Sequence, residues 1–157
     1  MGEGLARVRG RVMGSTTYFR RDWDAPGWNA VAQDYVNRPT ALTFEGNHGA
    51  APERDAARIL RKQLEARGVR VAGTAGAGAA PSGLDAIASI TSKPMRVLLA
   101  KVLRPSWNFG AEGVGKALGA QVRGAPGTIA KGAASIQAWA ADRGVDVSLY
   151  DNSGLSY

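Results

Sequence analysis

Ser106 and Asn108 place a hydroxyl and a carboxamide two residues apart, with Trp107 between them. A hydroxyl donates and accepts a hydrogen bond, and a carboxamide carries two donors and an acceptor. Held between two packed helices, the two side chains can form a rigidly presented polar pair. A simpler use competes: a polar residue at such a break caps the helix that follows. The stretch alone favours the cap. His48 is the only histidine and lies in a Gly/Asn turn over residues 45–50, where it reads as exposed and idle. No second histidine can share a metal with it. The chain has no cysteine, which excludes disulfides, thiol nucleophiles and thiolate metal sites. Gly76 and Gly78 lack the third glycine and the Lys-Ser/Thr of a phosphate loop. No cofactor or metal is expected.

Two helices must position the Ser106–Asn108 pair. Met95, Leu98, Leu99, Val102 and Leu103 fall at i, i+3, i+4, i+7 and i+8, one face of an amphipathic helix. Pro94 suits its first turn, where a missing N–H is harmless. Pro105 disfavours helix at Arg104, so the run is expected to stop there. A second run begins near Asn108 and carries Phe109, Ala111, Val114, Ala117 and Leu118. A third helix is expected over residues 125–143, with Ile129, Ala133, Ile136 and Ala140 on one side, Trp139 beside them, and Gly144 ending it.

Further upstream, residues 6–13 alternate as a half-exposed strand, with Val8, Gly10 and Val12 on one face. Residues 14–17 read as a turn. Tyr18, Phe19, Trp23, Trp28 and Tyr35 show no period, as in a loop wrapped onto a domain surface over residues 18–37. Residues 40–44 read as a short strand opened by Pro39. A helix is expected over residues 52–67, with Ala56, Ile59, Leu60 and Leu64 as its stripe and Gly68 just past its end. Residues 69–72 follow as a strand. Residues 74–83, TAGAGAAPSG, read as a flexible surface loop. Residues 85–92 and 145–150 read as strands, and residues 151–156, DNSGLS, as a tight polar turn.

A chain of 157 residues is long enough for one core. The hydrophobic class at 45% and the charged class at 21% place it among ordinary globular sequences. Net charge is +7, which favours anionic partners such as nucleic acid, anionic lipid or wall polymer. The densest basic run, residues 58–70, mixes with Glu53, Asp55 and Glu65 and has no interleaved aromatics to stack bases. No nucleic acid partner is therefore expected. No apolar run approaches a membrane span. The opening MGEGLARVRGRV has no apolar core of a signal peptide, so any export signal is expected outside this chain.

In order, these pieces resemble the D-alanyl-D-alanine carboxypeptidase/endopeptidase family, the low-molecular-mass class C penicillin-binding proteins. Tyr18-Phe19 with Ala25-Pro26-Gly27-Trp28 is similar to the family's aromatic "PGW" segment. Arg38-Pro39-Thr40-Ala41-Leu42-Thr43 resembles its "P-x-(S/T)-A-L-T" strand. LEARGVRVAG, starting at Leu64, resembles "L-x-x-x-G-V-x-V-x-G". IASITSKP, starting at Ile87, resembles the family's "ASxxSxPL" entry to a helical subdomain. Ser106-Trp107-Asn108 falls at the Ser-x-Asn motif, and DNSGLS, starting at Asp151, resembles the "DGSGLS" turn.

The resemblance implies acyl transfer through a serine nucleophile, using Ser-x-x-Lys, Ser-x-Asn and Lys-Thr-Gly motifs. Carried over, Ser106 is the hydroxyl that relays a proton to the leaving amine, and Asn108 the amide that holds the substrate's peptide group. Trp107 departs from the acidic residue often found between them, which removes a charge or narrows the cleft. No lysine here has serine three residues before it, and none is followed by Thr-Gly. In the family those motifs lie upstream and downstream of this region, so the chain resembles an internal segment. The implied enzyme is a serine-type D-Ala-D-Ala carboxypeptidase of the periplasm or cell envelope, acting on peptidoglycan peptides and bound by β-lactams. The implied fold is α+β, part of a serine β-lactamase/penicillin-binding-protein-like domain. On that reading residues 1–50 end an inserted β-rich domain, residues 51–157 are the partial penicillin-binding domain, and its helical subdomain spans about residues 93–143. The alternative is a non-catalytic peptidoglycan- or protein-binding domain on the same scaffold. A severed domain leaves apolar faces unpartnered, so exposed hydrophobic patches are expected.

Without an acylating serine, the isolated chain is expected to take no covalent label from a fluorescent penicillin. A labelled gel band that disappears on substitution of one of its serines would contradict this.

Overall fold

A computed structural model describes residues 4–156. The first three residues of the stretch expected to lack a signal peptide lie outside this range.

Two extended segments run side by side in the N-terminal half. β1 (Arg7–Val8) pairs in parallel with β3 (Arg70–Val71), and β2 (Val12–Ser15) with β4 (Ala75–Gly78). Both segments bend between their strands, where Gly73 N donates to Gly10 O at 2.9 Å. Parallel strands need a long connection, usually helical. Here it contains α1 (Ala30–Val36) and α2 (Pro52–Glu65). Helix α2 lies against β2 and β4. A Cβ on Gly14 would overlap the Glu53 carbonyl, so only glycine allows this approach. The helix starts with Pro52 in its first turn and ends as expected. Gly68, at φ +84°, lets Val69 N reach Leu64 O and Gly68 N reach Glu65 O.

The C-terminal half is helical. α3 (Met95–Leu103), α4 (Asn108–Arg123) and α5 (Ile129–Ala141) occupy the places expected from the apolar spacing. Thr128 caps α5 by accepting from Lys131 N at 3.0 Å. Helices α4 and α5 form the tightest pair, with Phe109, Ala120, Ile129, Ala133 and Ala140 buried. Small residues set their separation: a Cβ on Gly119 would lie 2.7 Å from Gly132 N. The N-terminal segment crosses this pair. Arg20 N donates to Gly127 O and Gly127 N to Tyr18 O, both at 2.9 Å, and Phe19 is buried there.

The described residues thus hold helices with two short parallel sheets, an α+β arrangement. Several local expectations are corrected. Of the turn expected at residues 14–17, Gly14 and Ser15 are the end of β2. The loop expected over residues 18–37 contains α1, because Asn29 Oδ1 accepts from Val31 N and Ala32 N. The strand expected at residues 40–44 is a turn. Thr40 Oγ1 donates to Leu42 O, Thr43 Oγ1 donates to Thr40 O, and Asn47 Nδ2 donates to Thr40 Oγ1, so local side-chain bonds displace a ladder. The loop expected over residues 74–83 contains β4. Its glycine lets Arg11 and Met13 approach, since a Cβ on Gly76 would lie 2.6 Å from Arg11 Nη2. Residues 85–92 and 145–150 form no strand, for want of a partner edge among the described residues. Ile87 is 84% exposed and Ile90 100%, which matches the expectation of unpartnered apolar surface.

Glycines of one helix should respond oppositely to a methyl group. A Cβ on Gly115 would overlap the Asn152 carboxamide, whereas one on Gly113 meets nothing within 4 Å. Gly115→Ala is expected to lower stability by about 1–3 kcal/mol through overpacking. Gly113→Ala is expected to raise it by about 0.5–1 kcal/mol through helix propensity. Urea unfolding midpoints of the two variants check both signs.

Candidate active site

The Ser106–Asn108 turn is built by the end of one helix and the start of the next. Arg104 closes α3 in right-handed geometry, and Ser106 follows at φ +52°. Ser106 N donates to Leu103 O at 3.2 Å and Trp107 N to Val102 O at 2.8 Å. This is the bond pattern by which a left-handed residue ends a helix. Ser106 therefore terminates α3 through its backbone and does not cap α4. Trp107 holds the N-cap position of α4, with no side-chain cap bond. The capping expectation is corrected, and the reason is local. The left-handed residue turns the chain, and the Ser106 hydroxyl is left without a hydrogen-bond partner among the described residues.

Trp107 is 44% exposed and rests part of its ring on α4. Its ring lies 5.5 Å from that of Phe109, and a Cβ on Gly110 would lie 2.9 Å from its Cδ2. The indole thus rests on a helix surface that only glycine leaves open. Ser106 stays exposed beside it, and Asn108 is half-buried at the start of α4.

Asn108 begins a row that continues one turn apart through Glu112 and Lys116. Residues four apart on a helix share a face. Glu112 and Lys116 both have 0% exposure. The Glu112 carboxylate accepts from Asn152 N at 2.9 Å and Asn152 Nδ2 at 2.8 Å. Lys116 Nζ donates to Asp22 Oδ1 at 2.5 Å and to Arg20 O at 2.8 Å. The other Asp22 oxygen accepts from Ile129 N at 2.9 Å, at the start of α5. The Lys116 ammonium also lies 5.6 Å from the Phe19 ring centre and 5.5 Å from that of Trp23. Burial raises the Glu112 pKa and lowers that of Lys116. The Asn152 donors oppose the first shift, and the Asp22 carboxylate with Glu112 opposes the second.

The network continues into the DNSGLS turn. Buried Asp151 accepts from Trp28 Nε1 at 2.6 Å, Gly154 N at 2.8 Å, Ser156 N at 2.7 Å and Ser156 Oγ at 2.8 Å. Burial pushes this carboxyl up, but the Trp28, Gly154 and Ser156 donors together hold it below its ordinary 3.8. Two segments singled out in the sequence, the one ending in Trp28 and the DNSGLS turn, therefore meet in space.

A family model described as the D-Ala-D-Ala carboxypeptidase 3 (S13) family matches residues 48–157. The chain belongs to this family. It is a family of serine peptidases of the D-Ala-D-Ala carboxypeptidase type. The match spans Ser106, Asn108, Glu112, Lys116 and the DNSGLS turn, while Asp22 and Trp28 precede it. No curated protein matches the chain. Among the described residues no helix is long and apolar enough to cross a membrane, and no group of three or more His, Asp or Glu could hold a metal.

Sequence reasoning passed over Glu112 and Asp22, weighed Lys116 only against the Ser-x-x-Lys and Lys-Thr-Gly motifs, and took Asn152 only as part of the DNSGLS turn. One signal was available. Glu112 and Lys116 stand four apart among Phe109, Gly115, Gly119 and Ala120, where a charged pair interrupts an otherwise small and apolar face. His48 is exposed, as expected, with its Nδ1 at 3.4 Å from Asn37 Nδ2.

The depressed Asp151 pKa gives a signed test. Its stabilisation is complete above pH 3.8 and is lost as pH falls through the lower folded value. Trp28→Phe removes one donor to the charged carboxylate and is expected to cost about 1.5–3 kcal/mol at pH 7. The gap between variant and parent should narrow below pH 3.8, as read from urea unfolding across pH. A gap constant with pH would assign the whole loss to packing.

Proposed function

We propose that this chain is the Ser-x-Asn segment of a serine-type D-Ala-D-Ala carboxypeptidase/endopeptidase that acts on peptidoglycan stem peptides through an acyl-enzyme. The family match across the Ser106–Asn108 turn carries this reading. Ser106 relays a proton to the leaving amine, a role that suits a hydroxyl with no other hydrogen-bond partner among the described residues. Asn108 holds the substrate's peptide group through its carboxamide. The acylating serine with its lysine, and the Lys-Thr-Gly strand, come from outside residues 1–157. On this reading residues 51–157 are the partial penicillin-binding domain, with the helical subdomain over about residues 93–143, and residues 1–50 end an inserted β-rich domain whose strands β1 and β2 pair with β3 and β4 across that boundary. The parent enzyme binds β-lactams and works in the cell envelope.

A second reading is a non-catalytic domain that binds peptidoglycan or a protein on the same scaffold. The absence of any Ser-x-x-Lys from the sequence favours it. Substitutions in an enzyme that carries this segment together with both missing motifs separate the two. Ser106→Ala is expected to lower kcat for release of D-alanine about 100- to 10,000-fold. Asn108→Ala is expected to lower kcat about 100-fold or more, as for a lost donor to the reacting group. Unchanged kcat in both variants would sink the catalytic reading and leave the binding one.

A further inference from the structure

A second polar site lies in the N-terminal half, formed by residues outside the Ser106–Asn108 turn. Trp23, Gln33, Asn37, Arg38, Asn47 and His48 line a cleft of about 240 Å³. Its walls are locked by internal bonds. Asn47 Nδ2 donates to Arg38 O and Thr40 Oγ1 at 2.8 Å, and its Oδ1 accepts from Phe44 N at 3.0 Å. Gln33 Nε2 donates to Trp23 O at 2.9 Å, Asn37 Nδ2 to Gly46 O at 3.0 Å, and Arg38 Nη1 to Gly49 O at 3.0 Å.

The backbone around the cleft is held in unusual geometry. Asn37, Glu45 and Asn47 have φ of +54°, +46° and +56°. They are three of the four non-glycine residues with positive φ among the described residues. Such conformations persist only where the surroundings impose them, and they gather at binding sites. The imposed geometry leaves a consistent set of groups unspent. Arg38 keeps its Nε and Nη2 donors, while Gln33 Oε1 and Asn37 Oδ1 remain free acceptors among the described residues. No Asp or Glu lines the cleft.

We propose that this cleft binds a small hydroxylated carboxylate, of which a sugar acid is representative. The guanidinium takes the carboxylate in charge-assisted bonds. The two carboxamide oxygens accept from ligand hydroxyls. The Trp23 indole supplies the apolar wall that such pockets combine with a few placed polar groups. The site shares Trp23 with the Lys116 network but neither Ser106 nor Asn108, so it stands or falls apart from the function proposed above.

His48 is the chain's only histidine, so its imidazole C–H resonances report this cleft alone. The full 157-residue chain is titrated at fixed pH with glucuronate, glucose or acetate and followed by NMR. Glucuronate is expected to shift the His48 signals saturably. Glucose and acetate are each expected to bind at least about tenfold more weakly, since each lacks one half of the recognised chemistry. Arg38→Gln is expected to weaken glucuronate binding about tenfold or more. Because Arg38 also braces Gly49, Gln33→Ala on the exposed side of α1 is the second variant, with a loss of about three- to tenfold. A missing or non-saturating shift overturns the proposal. So does equal binding of glucose or acetate, or unchanged glucuronate affinity in both variants.

Discussion

An ammonium group with no solvent contact anchors the helical half of this protein. Removing Lys116 from water is strongly unfavourable unless its surroundings restore what water supplied. They do so from a distant part of the chain: Asp22 provides the opposite charge, Arg20 a carbonyl, and Phe19 and Trp23 their ring faces. The segment around residue 20 is thereby tied across α4. Asp22 also accepts from the first N–H of α5, so one carboxylate joins three elements. A buried ion pair is weak evidence of net stability, but losing one partner leaves an uncompensated charge. The position of residues 18–28 is therefore tightly specified.

Glu112 repeats the arrangement one turn closer to the Ser106–Asn108 turn. It is satisfied by Asn152, whose carboxamide sits in a space that Gly115 and Gly132 leave open. The glycines of α4 and α5 thus serve two purposes. They let the helices approach, and they make room for the side chain that donates hydrogen bonds to a buried carboxylate. Asn108 lies at the end of the same helical row. Its direction follows from the two buried members behind it, as a fixed α4 sets where its first turn points. Trp107, seated over Gly110, completes the constraint from the other side.

Helices were legible wherever apolar spacing ran for three turns. α2, α4 and α5 answer to such runs, and Gly68 marked the end of α2. α1 was not legible, because seven residues offer one apolar turn and its start depends on the Asn29 cap. Strands were read poorly in both directions. Ile87 and Ile90 stand among small polar residues and pair with nothing among the described residues, while the bland AGAG of β4 forms a ladder. A strand exists only through its neighbour, and alternation within one segment carries no information about that neighbour. The buried polar network was invisible for a related reason. Asp22 and Lys116 lie 94 residues apart, and nothing local marks them as partners.

The sequence by itself determined the family, the helical periodicity and the presence of Ser106 and Asn108 at a break between helices. It also determined what is missing, since no Ser-x-x-Lys or Lys-Thr-Gly occurs in it. Those are properties of residue order, which the chain carries unfolded. The tertiary structure alone decided that Ser106 ends α3 with a hydroxyl unpartnered among the described residues, and that Glu112 and Lys116 are core residues. It also brought Trp28 onto Asp151 across 123 positions. These depend on desolvation and on hydrogen bonds between distant segments, and both come into being only when the chain packs.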